Sequence, residues 1–154
     1  MSEATATFEV RSAGMDDLPA LAALFDGYRV FYGQPSDPVR AGAFLRERIE
    51  RGQSQLLLAV DAQGQALGFV QLYPSFTSVG TARIEILNDL FVGPAARGRG
   101  VGRALLRQAG EDARARGAVK LVLSTAVDNA PAQALYASEG WVADSGFVEF
   151  ARTL

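Results

Sequence analysis

The chain has 154 residues, 49% of them hydrophobic, and a formal net charge of −2, which is typical of one ordinary domain with its own core. Acidic and basic residues are interleaved, which argues against a nucleic-acid-binding protein; no apolar run is long enough to cross a bilayer, and no signal segment opens the chain. We therefore expect a cytoplasmic protein that binds neither nucleic acid nor membrane. The sequence has no cysteine and no histidine, so we expect no metal site and no cysteine nucleophile.

The first half of the chain predicts two helices between strands. Residues 1–7 are small and polar and are expected to be frayed, and FEVRSA alternates like a short strand. Apolar residues at helical spacing predict a helix in GMDDLPALAALFDGYRVFYG, and DPVRAGAFLRERIERG predicts a second helix from Pro38 to Gly52. QLLLAV and ALGFVQLY flank the turn DAQGQ as a β-hairpin, and ARIEILNDLFV predicts a further strand.

The second half continues the alternation of helices and strands. A helix is expected from about Gly100 to Arg116, with one apolar stripe made of Val101, Leu105, Ala109 and Ala113. AVKLVLST predicts a buried strand, NAPAQALYASEG a short helix, and WVADSGFVEFARTL a closing pair of short strands. The order βααβββαβαββ predicts a single α/β domain over residues 1–154, with a mixed sheet flanked by helices on both faces.

Three glycines mark the junction between the strand that ends near Val92 and the following helix. Gly98, Gly100 and Gly102 alternate with other residues there, in VGPAARGRGVGRALL. Backbone N–H groups and the positive end of a helix dipole make such a junction an anion site, and glycine lets phosphate oxygens approach closely. Positive charge is added by Arg97, Arg99 and Arg103. The alternative is a tight turn whose arginines are simply solvated.

Two common phosphate motifs do not fit this stretch. A Walker A loop would need Lys and Ser or Thr where the chain has Arg99 and Gly100. A dinucleotide-binding fingerprint would need a third glycine where the chain has Arg103.

The run Arg97-Gly98-Arg99-Gly100-Val101-Gly102 matches the pattern Arg/Gln-x-x-Gly-x-Gly/Ala and resembles the acetyl-CoA loop of the GNAT N-acetyltransferases. The resemblance extends upstream to LNDLFV and downstream to NAPAQALYASEGW, and it covers roughly residues 8–154. Within the family the chain is most similar to the branch of polyamine and histone acetyltransferases, through YRVFYGQPSD and LNDLFV.

The resemblance implies transfer of the acetyl group of acetyl-CoA to a primary amine of a small molecule or peptide, by direct attack. The absence of cysteine agrees, since the usual acyl-enzyme nucleophile is missing. By resemblance, the pyrophosphate would be bound by Arg97, Gly98, Arg99, Gly100, Val101, Gly102 and Arg103. The pantetheine arm would lie beside Leu90, Phe91 and Val92, in a strand that in this family carries a bulge and is splayed from the next strand. Asn129 matches the asparagine near the cofactor arm, and its alternative role is to cap the following helix.

Tyr136 matches the family tyrosine whose hydroxyl faces the departing sulfur. A tyrosine with a pKa near 10 is a suitable acid for a thiolate leaving group. The alternative is a packing residue that needs only one hydroxyl partner.

Two carboxylates are candidates for the general base. Regular alternation places Glu85 and Asp89 on one face of their strand, together with Arg83, Leu87 and Phe91. Either carboxylate, or a water that it holds, is a candidate base, and the alternative is a solvated face or a structural pairing with Arg83.

Four aromatic residues are candidates for the acceptor pocket or, alternatively, for the core: Tyr28, Phe31, Tyr32 and Tyr73. A second function stays open at this point, a non-catalytic domain that binds acyl-CoA without turnover. The identity of the acceptor and the formation of a homodimer are also left open.

Overall fold

The structure is a computed structural model that describes residues 7–154, so the expected fraying of residues 1–7 falls almost entirely outside it. The strands are β1 (Phe8–Ser12), β2 (Gln55–Asp61), β3 (Ala66–Thr77), β4 (Ala82–Val92) and β5 (Leu121–Val122). The helices are α1 (Leu18–Phe31), α2 (Pro38–Glu50), α3 (Val101–Ala115) and α4 (Ala130–Ser138), and short 3₁₀ turns lie at Met15–Asp17 and Pro94–Ala96. The chain divides into two units, one ending at Ser124 and the other spanning Thr125–Leu154.

The predicted mixed sheet is confirmed. Its strands lie in the order β1-β2-β3-β4-β5, with antiparallel pairing from β1 to β4 and parallel pairing between β4 and β5. The predicted β2–β3 hairpin is present, and the Asp61 carboxylate closes its turn by accepting from the amides of Gln63 and Gln65 at 2.9 and 2.8 Å.

Helices pack on both faces of the sheet, as predicted. On one face α1 and α2 bury Leu21 and Leu45 against Leu56, Leu58 and Phe69. The opposite face is covered by α3, whose Leu105 side chain lies 3.3 Å from where a Cβ on Gly68 would stand. The apolar stripe predicted for α3 is fully buried, since Val101, Leu105, Ala109 and Ala113 are each exposed by 2% or less.

Local signals explain where the helices start. Pro38 occupies the first turn of α2, and the Asp37 carboxylate accepts a hydrogen bond from the Arg40 amide at 3.0 Å as the N-cap. Asp17, which precedes α1, makes no side-chain hydrogen bond to that helix; its carboxylate instead accepts from the Gly14 amide at 3.0 Å and pairs with Arg11. No helix among residues 7–154 has the length and apolar character that a bilayer crossing requires.

Two predicted strand regions differ from the structure. AVKLVLST yields only the two half-buried residues of β5, because its ladder with β4 covers just Glu85–Leu121 and Ile86–Val122. Residues 141–154 form no strand, so the closing pair is wrong for this structure, and Phe147, Val148 and Phe150 are largely exposed. An alternating sequence becomes a strand only when its backbone pairs with a neighbour, which the local pattern cannot supply.

Candidate active site

A β-bulge interrupts β4 at Asn88. In the ladder with β3, Gln71 pairs with Asp89 and the adjacent Leu72 pairs with Leu87, so Asn88 is an extra residue without a partner across the ladder. Asn88 is exposed, while Asp89 and Leu87 on either side of it are buried. The bulge that the resemblance implied for this strand is therefore present.

The bulge overturns the expectation that Glu85 and Asp89 share a face. Residues paired across an antiparallel ladder lie on one face, and consecutive residues of a strand alternate between faces. Gln71 and Leu72 are consecutive, so their partners Asp89 and Leu87 lie on opposite faces, and Glu85 lies with Leu87.

Glu85 lies on the α3 face and is fully buried within an ion-pair cluster. Its carboxylate accepts from Arg116 at 2.7 and 2.9 Å and from Arg83 at 3.3 Å. Burial alone would raise the pKa of Glu85, but the hydrogen bonds and charges of Arg116 and Arg83 bring its pKa below the ordinary value. Two guanidinium groups thus hold the carboxylate ionised. One of them belongs to Arg83, the structural partner that the sequence offered as an alternative to catalysis.

Asp89 lies on the face covered by α1 and α2, only 3% exposed. Its carboxylate accepts hydrogen bonds from the Gln71 amide and, at 3.0 Å, from the Asn88 side chain. Burial raises the pKa of Asp89, and the hydrogen bonds from Gln71, Asn88 and the Tyr28 hydroxyl offset only part of that rise. No cation pairs with Asp89 among the contacts that shape its pKa, in contrast to Glu85.

Two of the four predicted pocket aromatics lie near Asp89. The Tyr28 hydroxyl donates to the carbonyl oxygen of Asn88 at 3.3 Å, at the bulge itself. Tyr73 stands two residues after Gln71 on β3, and burial together with the charge of Asp89 raises the pKa of Tyr73 to about 12.

The other two aromatics, Phe31 and Tyr32, lie at the end of α1 and are about half exposed. They contact each other with ring centroids 5.2 Å apart, and Tyr32 lies 4.9 Å from the Tyr28 ring. Tyr28 therefore joins this exposed aromatic pair to the surroundings of Asp89.

The glycine-rich loop between β4 and α3 has an open backbone. Gly98 and Gly100 adopt left-handed conformations, with φ of 77° and 79°, and a Cβ on either would meet no atom within 4 Å. Gly100 is the N-cap of α3 and has no side chain to satisfy the first-turn amides of Val101 and Gly102. The loop thus opens a helix N-terminus to solvent, as an anion site requires.

The loop arginines differ in their contacts. Arg97 donates to the Val92 carbonyl at 3.1 Å, and its guanidinium lies 5.6 Å from the Phe91 ring centroid. Arg99 donates to the Thr7 hydroxyl at 3.1 Å, and Arg103 lies in the first turn of α3.

The predicted cofactor strand borders both an unpaired edge and a groove. Phe91 faces α1, because it pairs across the ladder with Phe69, which belongs to the core under α1 and α2. Its neighbours Leu90 and Val92 face α3. Pairing with β5 ends at Ile86, so among residues 7–124 no strand adjoins the far edge of β4 from Leu87 onward. A groove of about 770 Å³ lies between α1 and the end of β4, lined by Ala20, Ala23, Leu24, Gly27, Val30, Phe31, Ser36, Ala66, Phe91, Gly93, Pro94 and Arg97.

Asn129 and Tyr136 belong to the C-terminal unit. Asn129 caps α4, since its side-chain oxygen accepts from the Ala132 amide at 3.3 Å. Tyr136 lies in α4, half-buried, with its ring centroid 6.0 Å from that of Trp141.

Sequence reasoning missed Gln71 and Arg116. Gln71 reads as one more position in an apolar strand, yet its side chain is fully buried and holds Asp89. Arg116 reads as a solvated residue at a helix end, and its partner Glu85 becomes evident only once the bulge has placed Glu85 toward α3. A polar residue in the middle of a strongly apolar strand is the signal that could have singled out Gln71.

Comparison with known proteins agrees with this geometry. Residues 20–141 match the family model described as the acetyltransferase (GNAT) family. The chain is 46% identical over 141 residues to an uncharacterized N-acetyltransferase of Bacillus subtilis (strain 168), YhfO, covering 92% of this chain and 94% of the relative. It is 28% identical over 137 residues to the L-methionine sulfoximine/L-methionine sulfone acetyltransferase of Pseudomonas aeruginosa, covering 86% and 78% of the two chains. A solved structure described as a probable acetyltransferase superposes with a TM-score of 0.89 at 39% identity, over 95% of this chain and 97% of the other. The chain therefore belongs to the GNAT family and is an acetyl-CoA-dependent N-acetyltransferase.

Proposed function

We propose that this enzyme acetylates the primary amine of a small molecule or peptide by direct attack, with Asp89 as the general base and Tyr136 as the general acid. The observation that carries the proposal is the bulge at Asn88. It turns a buried carboxylate without a cationic partner toward α1 and α2, in the strand that also borders the loop.

The residues present fit acetyl-CoA. Pyrophosphate is matched by the open left-handed glycines of the loop, by the α3 N-terminus and by Arg97, Arg99 and Arg103. The pantetheine arm is matched by the unpaired edge of β4 at Leu90, Phe91 and Val92. Asn129 keeps the role that the family pattern gives to its asparagine. When bound, acetyl-CoA supplies an acetyl group activated as a thioester.

Asp89 is preferred to Glu85 because of their different surroundings. Burial raises the pKa of Asp89 and makes its carboxylate a stronger base, whereas Arg116 and Arg83 hold Glu85 ionised in a structural cluster. Asp89 takes the proton that the amine releases as the N–C bond forms.

Tyr136 gives the balancing proton to the sulfur as the C–S bond breaks. This role is carried over from the family pattern in NAPAQALYASEGW, at the position where this chain has Tyr136. This route forms no acyl-enzyme, in agreement with the absence of cysteine, the usual acyl-enzyme nucleophile.

Tyr28, Tyr73, Phe31 and Tyr32 would face the acceptor, since they lie around and beyond Asp89. One relative is named for acetylating derivatives of an amino acid, which supports a small-molecule amine. The likeness to polyamine and histone acetyltransferases keeps polyamines and basic peptides among the candidate acceptors. The proposal also includes a cytoplasmic location, a single functional domain and action without nucleic acid or membrane. A homodimer is compatible with this proposal.

The test is an acetylation screen read by mass spectrometry. The protein is incubated with acetyl-CoA and a panel of amino acids, polyamines, aminoglycosides and lysine-containing peptides. We expect acetylated product from at least one class and an unchanged protein mass with acetyl-CoA alone. Tight CoA binding with no product from any amine would favour the non-catalytic alternative, and a stoichiometric acetyl adduct that passes to the amine would exclude direct attack.

A further inference from the structure

Asp26 is a buried carboxylate in α1 that the proposed chemistry does not use. Its residue is 9% exposed, and it lies in α1 between Phe25 and Gly27. An acidic side chain is seldom buried unless it is paired or hydrogen-bonded. The partners of Asp26 therefore indicate why α1 has a carboxylate at this position.

Both oxygens of the Asp26 carboxylate hold the α1–α2 loop, residues 32–37. Oδ2 accepts from the Ser36 hydroxyl at 2.7 Å, and Oδ1 accepts from the Asp37 amide at 2.7 Å. The hydrogen bonds from Ser36 and Asp37 lower the pKa of Asp26 below its ordinary value, so the carboxylate is ionised at neutral pH. Hydrogen bonds to an ionised acceptor are roughly twice as strong as neutral ones. The part of the loop next to α2 is thus firmly attached to α1.

The part of the loop next to α1 is held by the end of that helix. Gly33 has a φ of 86°, and its amide donates to the Val30 carbonyl at 2.9 Å. The Gln34 amide donates to the Arg29 carbonyl at 2.9 Å. The backbone beyond the helix end is therefore fixed from α1 on one side and by Asp26 on the other.

The α1–α2 loop forms part of the wall of the groove beside β4. Ser36 lines this groove together with Val30 and Phe31, which lie in the last turn of α1. Phe91 of β4 lines it as well, and a Cβ on Gly27 would lie 3.1 Å from the Phe91 ring. The groove therefore reaches from the strand proposed to bind the cofactor to the loop that Asp26 holds.

The same loop carries the exposed aromatic residues proposed to face the acceptor. Phe31 precedes the loop, and Tyr32 is its first residue. Tyr32 contacts Tyr28, whose hydroxyl donates to the carbonyl of Asn88 at the bulge, directly before Asp89. A change in the loop would thus alter both the groove wall and the aromatic residues beside the candidate base.

We propose, on the basis of the function proposed above, that Asp26 is a positioning residue for the acceptor amine, which it serves by holding the α1–α2 loop against the groove. Without this contact the loop populates other conformations, and the apparent affinity for the acceptor falls in proportion to the fraction that stays competent. Hydrogen bonds to a charged group change an equilibrium by about 10- to 100-fold. The loss should therefore appear in KM for the acceptor, while the chemistry of the bound acceptor is unchanged.

The experiment measures kcat and KM for the acceptor with the wild type, Asp26→Ala and Asp26→Asn, well below each melting temperature. The acceptors are L-amino acids, spermidine, kanamycin and lysine-containing peptides, and CoA binding is followed by calorimetric titration. We expect Asp26→Ala to raise KM by about tenfold or more, with kcat and CoA affinity within about twofold of the wild type. Asp26→Asn should restore most of the affinity, because its oxygen can accept from the Asp37 amide and its nitrogen can donate to Ser36.

Asp17→Ala is the matched control at the other end of α1. The Asp17 carboxylate likewise holds a backbone amide and a side chain, those of Gly14 and Arg11, and none of these three residues lines the groove. Both alanine variants should melt at a lower temperature than the wild type. A raised KM is expected for Asp26→Ala and not for Asp17→Ala.

A folded Asp26→Ala with the KM of the wild type overturns the inference, because the contact would then be purely structural. A loss confined to CoA affinity or to kcat also overturns it, because the loop would then serve the cofactor or the chemistry. If Asp26→Ala does not fold, Ser36→Ala removes one of the two hydrogen bonds and should raise KM by about three- to tenfold, and an unchanged KM overturns the inference. In all these cases acetylation by the wild type leaves the proposed function standing. A lack of product from every amine overturns the proposed function and the inference together.

Discussion

The guanidinium of Arg116 donates two hydrogen bonds to the carboxylate of Glu85, at 2.7 and 2.9 Å, and so ties the C-terminal end of α3 to β4. Glu85 is fully buried, and Arg116 is about one-quarter exposed. A charge pair with this geometry is costly to break from one side, because the partner stays behind without its counter-ion.

Replacing Glu85 with glutamine should therefore destabilise the protein without altering its chemistry. We expect Glu85→Gln to lower the free energy of unfolding by about 2–4 kcal/mol, and to leave kcat of the folded fraction close to that of the wild type. Glu47→Gln breaks only exposed ion pairs and should cost less than about 1 kcal/mol. Denaturant unfolding together with kcat checks this, and a stable Glu85→Gln with low kcat would return Glu85 to the list of candidate bases.

The same pair should make stability depend on acidity. The folded-state pKa of Glu85 is lowered, so its contribution is fully present above the ordinary glutamate pKa and is lost as pH falls through the folded-state value. The gap in melting temperature between wild type and Glu85→Gln should be wide at neutral pH and should narrow below about pH 4.5. A gap that stays constant down to pH 3 would mean that packing, not charge, explains the loss.

The contribution of Asp89 to stability should depend on pH in the opposite direction to that of Glu85. Its folded-state pKa is raised, so the wild type loses stability as pH rises from the unfolded-state pKa to the folded-state pKa. At neutral pH, Asp89→Asn should be at least as stable as the wild type, since Gln71 can turn its unused oxygen toward the new amide. If Asp89 is the base, kcat should fall by about 10²-fold near neutrality and recover as the amine deprotonates at higher pH. The measurement is a pH–rate profile with parallel melting curves, and a uniform loss at every pH would indicate substrate positioning.

The loop glycine can be tested against a matched glycine at the other end of α3. Gly100 and Gly117 both have positive φ, 79° and 92°, and both face open space. Gly100→Ala and Gly117→Ala should each cost about 1 kcal/mol of stability, because both force a side chain into the left-handed region. Only Gly100→Ala should weaken CoA binding, by about tenfold or more, since its Cβ occupies the approach of a phosphate oxygen. Calorimetric titration with CoA checks this, and equal affinities would mean that Gly100 only forms a turn.

Tyr136→Phe separates acid catalysis from packing. If the hydroxyl protonates the leaving sulfur, kcat should fall by about 10²-fold while CoA affinity stays nearly constant. A more acidic leaving thiol should shrink the defect, because it needs less help from a proton donor. A packing tyrosine would instead lose about 1 kcal/mol of stability with normal turnover. Melting temperature and kcat on one preparation therefore decide the role.

Features of the fold set by neighbouring residues along the chain were predictable. The buried stripe of α3, the start of α2 at Pro38 and the turn at Asp61 each depend on a few consecutive side chains, and all three were confirmed. The left-handed positions of the loop are occupied by glycine, at Gly98 and Gly100, while the loop's role in cofactor binding stays a prediction.

Features that depend on pairing with distant residues were not predictable. The register shift at Asn88 arises in the ladder with β3 and cannot be seen in the residue types along β4. The prediction that Glu85 and Asp89 share one face was therefore wrong. For the same reason the length of β5 and the absence of strands in residues 141–154 could not be inferred from their alternating side chains.

The extra residue at position 88 places the two buried carboxylates of β4 on opposite faces of the sheet. Before it, the buried carboxylate of Glu85 accepts from Arg116 at the end of α3. After it, the buried carboxylate of Asp89 faces α1 and α2 and accepts from Gln71. Deleting Asn88 would reverse the parity of every later position and turn Asp89 toward the helix that already holds Glu85. The presence of a residue at position 88 thus matters more than its identity, because its loss would turn Asp89 away from α1 and α2 without changing any acidic residue.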